Sequence, residues 1–245
     1  MNKLPKLLRD CPLIDALIEI RFETTLNPSV VFAVVYALLR EEFKGPVINL
    51  PLLQIPEQVR LLDPNLKYKP LYRIDGDGII LQIGPDVICV SSQKPYVGWD
   101  RLSGVCVNII NNMISGGVIT GVTRLGHRYV NFFEKNITED LAVTFGVLDG
   151  YELRGKLIRY DLVDGNFTNV MQFSDTAEYK MPLSGQIQRG SLIDIDTSRD
   201  YGFDKKFFIN HMREELDLSH MSEKKLFYAM LKERFIQSLN PEYDE

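Results

Sequence analysis

The sequence predicts an α+β fold: a mainly antiparallel sheet drawn from two halves, with about four helices packed on it. Three observations predict it. Ile18-Glu-Ile-Arg-Phe-Glu23 alternates strictly between apolar and charged residues, the period of a half-buried strand. Apolar runs at 72–75, 79–83 and 87–92 are separated by Gly76-Asp-Gly78 and Gly84-Pro-Asp86, which reads as a meander with tight turns. Helix-spaced apolar stripes occupy few segments, two in the first half and two at the end of the chain.

Taken in order, the first strand turns Ile18, Ile20 and Phe22 toward a core and Glu19, Arg21 and Glu23 toward water or a polar layer. Asn27 then caps a helix over 29–43, with Pro28 at its first position. That helix is apolar nearly all round, which predicts deep burial or a partner surface. Gly45-Pro46 ends it. Residues 46–70 hold five prolines and are expected to form a long extended connection with one short strand. After the meander comes a helix over 96–114, with Trp99, Leu102, Cys106, Ile109, Ile110 and Met113 on one stripe and Gly116-Gly117 as its stop. A long strand over 118–133 follows, with a bend expected at Gly121 or Gly126.

The first half is thus 1–136, and 137–245 is a strand-rich half; together they are expected to form one compact unit. Strands are expected over 142–148, 151–162, 167–173 and 191–197, with hairpin turns at Asp149-Gly150 and Asp164-Gly165. Helices over 203–216 and 222–239 close the chain, the last with Phe227, Met230, Leu231 and Phe235 at core spacing.

The formal net charge of −5 gives no general attraction to nucleic acid or to an anionic membrane, and neither is expected as a partner. Lys3, Lys6 and Arg9 resemble a signal n-region, but Asp15 and Glu19 interrupt the apolar core that would have to follow. The longest apolar run, 30–39, is about half a membrane span. A cytoplasmic protein is expected. Cys11, Cys89 and Cys106 are odd in number and scattered, which predicts buried free thiols in a reducing compartment. Asn136-Ile-Thr138 and Asn166-Phe-Thr168 match the glycosylation pattern and carry no weight without secretion.

The richest chemistry lies in Arg124-Leu-Gly-His-Arg-Tyr-Val-Asn131. An extended backbone puts Arg124 and Arg128 on one side of this segment and His127, Tyr129 and Asn131 on the other. Two readings stay open. In one, these five residues and the late-strand pair Asp194 and Asp196 bind a ligand, since Arg forks match carboxylate and phosphate geometry. In the other, Arg128 pairs with Asp194 or Asp196 across the sheet, Glu19 and Arg21 join a charge lattice, and Tyr129 fills the core. Asp194 and Asp196 share a strand face roughly 7 Å apart. Such a pair holds a divalent cation only with further oxygen donors, and the sequence identifies none. No metal or cofactor is expected.

Other chemistries lack their spacing. His127, His211 and His220 fit no zinc pattern, and there is no Gly-x-Ser-x-Gly elbow or Gly-rich phosphate loop. Asp75-Gly-Asp-Gly78 lacks the later acidic ligands of a calcium loop and reads as a hairpin turn. Asp164 followed by Glu178-Tyr-Lys180 matches a metal-nuclease spacing, but Glu178 near Met181-Pro182 has poor strand surroundings. Lys205-Lys206 and Lys224-Lys225 are balanced by Glu214, Glu215 and Glu223.

Pro12-Leu-Ile-Asp-Ala-Leu-Ile-Glu-Ile-Arg-Phe22 and the Arg124–Asn131 segment resemble a sporadically distributed bacterial family of uncharacterised proteins of about this length. Tyr96 and Trp99 opening a helix, and Asp194 and Asp196 in a late strand, fit the same pattern in the same order. Where members commonly carry an apolar residue after the glycine, this chain has His127, and Ala16 stands where Glu is common. The resemblance implies a cytoplasmic globular protein of patchy occurrence, an occurrence associated with mobile or defence-related genes. The function expected is non-catalytic binding or regulation, with a protein partner or as a homodimer. Two alternatives stand beside it: an enzyme, small-ligand or metal-dependent, using Arg128, Asp194 and Asp196, or a component of a phage-defence or toxin–antitoxin system.

Overall fold

The computed structural model describes residues 3–143, 154–181 and 184–243. Its strands are β1 (Leu7–Leu8), β2 (Leu13–Glu23), β3 (Val47–Asn49), β4 (Tyr72–Gly76), β5 (Ile79–Ile83), β6 (Val87–Gln93), β7 (Gly121–Phe133), β8 (Leu157–Asp164), β9 (Phe167–Lys180), β10 (Ile187–Asp200) and β11 (Pro241–Glu242). Its helices are α1 (Pro28–Leu39), α2 (Glu57–Leu62), α3 (Pro64–Lys67), α4 (Trp99–Ser115), α5 (Phe207–Asn210), α6 (Met212–Ala229) and α7 (Glu233–Ser238). The fold is α+β: nine strands form an antiparallel sheet in the order β3-β4-β5-β6-β2-β7-β10-β9-β8, with α1, α4 and α6 packed on it. Strands β1 and β11 pair separately.

The chain divides into two compact units. One comprises Met1–Ile14, Arg128–Thr197 and Ser219–Glu245; the other comprises Asp15–His127 and Ser198–Leu218. We call them the first and second units.

In the second unit the alternation of β2 is realised as read. Ile18, Ile20 and Phe22 are buried, while Glu19 and Arg21 on the opposite side are half-buried. Ile18 lies opposite Val90 and Ile20 opposite Ile88, so the apolar positions of β6 fall on the same face. The meander forms at the expected turns, with Gly78 at φ 77° where a side chain would be strained.

Helix α1 starts as the sequence predicts: the Asn27 side chain accepts from the Ser29 amide at 3.0 Å, and Pro28 is the first residue. It ends at Leu39, earlier than expected. Val31, Val35 and Leu39 are buried along one line, whereas Val30, Tyr36 and Leu38 remain exposed. The apolar circumference is therefore not deeply buried, and one side meets solvent.

The proline-rich stretch departs from the expected extended connection. It holds β3, a 3-10 turn at Pro51–Gln54, and the short helices α2 and α3. The prolines initiate these turns: Pro51 and Pro64 occupy first-turn positions, Pro56 precedes α2, and the Asp63 side chain accepts from the Asn65 amide. Helix α4 begins at Trp99 rather than 96, because Gly98 at φ 90° lies outside helical space. Its stripe of Leu102, Cys106, Ile109, Ile110 and Met113 is fully buried.

In the first unit, Asp164 pairs with Phe167 across the predicted turn, with Gly165 at φ 60°. Strands β9 and β10 run well past the expected bounds. Glu178 lies inside β9, contrary to the surroundings read from sequence, and accepts from Arg189 Nε at 2.9 Å. At Gly190 in β10 the chain passes so close to the Phe133 carbonyl that no side chain fits. Most of the strand expected over 142–148, the turn at 149–150 and the start of the strand expected over 151–162 lie outside the described residues. Phe133, Met171, Phe173, Ile193, Ile195, Phe227, Leu231 and Phe235 build this unit's core.

The closing helices break elsewhere than expected, near His211 and at 230–232 instead of 217–221. Leu216, Ser219 and Ser222 are buried at a spacing of three. Two small polar residues thus continue a helix-period stripe that reads as a loop by hydropathy.

Candidate functional site

Strand β7 carries the charged signature, and its alternation divides those residues as the sequence predicts. In the first unit, Arg128 meets Asp194 of β10 in a two-pronged pair: Nε donates to Oδ1 at 2.8 Å and Nη2 to Oδ2 at 2.6 Å. The Arg128 side chain is 49% exposed and the Asp194 side chain 11%. Both carboxylate oxygens are therefore occupied by one guanidinium. Asp196, two residues along β10, is half-buried.

On the other side of β7, Tyr129 and Asn131 are buried. The Tyr129 hydroxyl lies 3.3 Å from His220 Nδ1, and the two rings meet edge to face. Burial pushes His220 down to about 3, with Lys224 adding to the effect, so the imidazole is neutral at pH 7. Nearby in sequence on α6, Glu223 is fully buried, and its Oε1 accepts no hydrogen bond among the described residues. Burial holds its carboxyl well above the usual range, against the opposing influence of Lys224. A chain of buried polar groups completes this interior: Thr197 Oγ1 donates to Asn169 Oδ1 at 2.5 Å, and Asn169 Nδ2 donates to Ser222 Oγ at 3.1 Å. Its members come from β9, β10 and α6, so no local pattern announces it.

The second unit holds the remaining signature residues. Glu19 Oε1 accepts from Arg124 Nη1 at 2.8 Å and from Arg21 Nε at 2.7 Å, so one carboxylate bridges two guanidinium groups. The Arg124 and Glu19 side chains are 19% and 18% exposed. Arg21 also stacks on Tyr68, 4.6 Å from the ring centroid. Gly126 passes beside this bridge; a Cβ there would stand 3.2 Å from Arg124 Nη1. His127 is buried on the opposite side of the strand, 5.1 Å from the Trp99 ring centre to centre.

A stronger pair in this unit was missed by sequence reasoning. Arg199 Nη1 donates to both oxygens of Glu215 at 2.6 and 2.7 Å, and the Tyr201 hydroxyl donates to Oε2 at 2.8 Å. The side chains of Arg199 and Glu215 are only 17% and 3% exposed. The alternation of β10 near Arg199 could have flagged it, but its partner lies on a helix whose register the sequence does not reveal.

The members of the expected constellation are divided between the two units. Arg128, Asp194, Asp196, Tyr129 and Asn131 belong to the first unit, and Arg124 and His127 to the second. Among the described residues, no group of three or more His, Cys, Asp or Glu side chains is placed to hold a metal ion. Cys89 and Cys106 are buried, and burial pushes the Cys106 thiol up to about 12, so neither is a ready nucleophile. Cys11 departs from the expected burial: it is exposed, since it lies in the link between β1 and β2. Among the described residues no helix is long and apolar enough to cross a membrane. A scan of protein-family models and a search of curated proteins each find no match to the chain.

Proposed function

We propose that this is a non-catalytic binding or regulatory protein of the cytoplasm, acting with a protein partner or as a homodimer. The observation that carries the reading is how the signature charges are used. Arg128 is committed to both oxygens of Asp194, and Arg124 with Arg21 to Glu19. Ion pairs of this kind hold strands together and leave little capacity to polarise a substrate. The exposed apolar side of α1, with Val30, Tyr36 and Leu38, supplies a contact surface of the kind that binding proteins present. The buried thiols of Cys89 and Cys106 suit a reducing compartment, and the acidic balance of the chain disfavours nucleic acid. The resemblance to a patchily distributed bacterial family supports a separate alternative, a component of a phage-defence or toxin–antitoxin system.

Sedimentation velocity on the purified chain over a wide concentration range tests it, with the Val30→Lys/Tyr36→Lys variant alongside. The expected result is self-association, or association with the product of an adjacent gene, that the variant weakens. Turnover by the purified protein that Arg128→Ala or Asp194→Ala abolishes would overturn it.

A further inference from the structure

We propose that a cavity in the second unit, beneath the start of α1, binds the phosphate group of a small phosphate monoester. The cavity measures about 160 Å³, and its walls include Phe32, Leu53, Arg60, Lys67, Lys69 and Tyr72. That is below the roughly 300–1,000 Å³ of pockets that enclose drug-sized ligands, so it fits a small molecule or the head of a larger one.

The cations are the first argument. Arg60, Lys67 and Lys69 face a single acidic lining residue, Glu57. None of the three takes part in an ion pair among the described residues. For Arg60 that is unusual among the arginines of this chain: Arg9, Arg21, Arg40, Arg73, Arg101, Arg124, Arg128, Arg159, Arg189, Arg199, Arg213 and Arg234 are all paired with a carboxylate. Arg60 is nonetheless held in place, since its Nε donates to the Ile55 carbonyl at 2.9 Å, leaving its outer nitrogens for a ligand. Lys67 stands 5.1 Å from the Tyr68 ring centre, and it also lowers the carboxyl of Asp86, which burial raises. Three cations face one lining carboxylate, and even with Asp86 counted beside Lys67 the site keeps a positive surplus in a chain whose net charge is −5. A phosphate monoester, close to a dianion at neutral pH, matches that surplus.

The second argument is the wall. Phe32 stacks on Tyr72 with ring centres 3.8 Å apart, and Leu53 adds apolar surface. This side suits the organic part of the ester rather than a bare inorganic ion. The helix start contributes no donors of its own. Pro28 has no N–H, the Ser29 amide is bound by the Asn27 side chain, and the Val30 amide by the Asn27 carbonyl. Binding therefore falls to the side-chain cations. This site is independent of the proposed function, and failure here leaves that reading untouched.

Isothermal titration of the full chain with phenyl phosphate tests the proposal, with benzoate and sodium chloride at matched ionic strength as comparisons. Saturable binding of phenyl phosphate, tighter than benzoate, is expected. Arg60→Gln and Lys67→Gln/Lys69→Gln are each expected to weaken it by about tenfold or more. Lys67 and Lys69 are exposed, so circular dichroism of the double variant should match the parent. Absence of saturable binding tighter than about 10 mM, equal affinity for benzoate, or unchanged affinity in both variants would overturn the proposal.

Discussion

His220 gives a sharp test of how the interior behind the signature strand is built. Its imidazole is pushed from 6.5 down to about 3 by burial and by Lys224, whereas an unfolded chain titrates near 6.5. Between those values the unfolded state binds a proton that the folded state refuses. Stability from this group is fully present above pH 6.5 and is lost as pH falls toward 3. The whole interval corresponds to roughly 5 kcal/mol, and lowering the pH from 7 to 5 removes about 2 kcal/mol of it. Glu223 acts in the opposite sense: its carboxyl is held well above 4.5, so its contribution is greatest below that value and declines as pH rises. The two slopes oppose each other, and variants are needed to separate them. Urea unfolding of the parent and His220→Gln at pH 7 and pH 5 should show the parent losing about 2 kcal/mol more than the variant. Glu223→Gln should steepen the parent's loss. Nuclear magnetic resonance gives a direct check, because the chain has three histidines and His220→Gln identifies one resonance by deletion. A His220 resonance titrating near 6.5 in the folded protein, or parallel pH dependence of parent and variant, would refute the reasoning.

The ion pairs should rank by shielding. Arg199→Met leaves the buried Glu215 carboxylate uncompensated and is expected to cost about 3–5 kcal/mol in urea unfolding, whereas Arg128→Ala, with its half-exposed guanidinium, should cost about 1–2 kcal/mol. The reverse order would defeat this account. Among the glycines, Gly104→Ala sits in the interior of α4 with open space around it and should raise stability by about 0.5–1 kcal/mol. Gly190→Ala drives a methyl into the Phe133 carbonyl and should lower stability by about 2 kcal/mol or more, read from the thermal midpoint.

Local pattern was a good guide wherever local chemistry decides the structure. The alternation of β2, the glycine turns of the meander and the cap at Asn27 each involve residues close in sequence, and each forms as read. The pairing of Arg128 with Asp194 was also legible as one of two options, because both residues sit on strands whose faces alternate. What stayed hidden depends on distant partners. Ser219 and Ser222 look polar in isolation, yet packing buries them and carries α6 through the expected break. The prolines of 46–70 count against regular structure by propensity, but as first-turn residues they start α3 and the preceding 3-10 turn. The cavity near Arg60 likewise needs α1, the 3-10 turn and the 67–72 segment to meet, and no spacing announces it.

Strand β8 stands last in the sheet order, so among the described residues one side of its backbone has no neighbouring strand within that sheet. Such a border is a template on which a stranger chain can lay itself down. Nearly every β8 residue is exposed, and Leu157 and Val163 would make the border sticky. Arg159 and Asp161, joined at 2.9 Å, and Asp164 at its end place charge along it. An incoming strand would have to strip water from those groups, and so crowded solutions of this protein are steered away from growing into fibres from that margin.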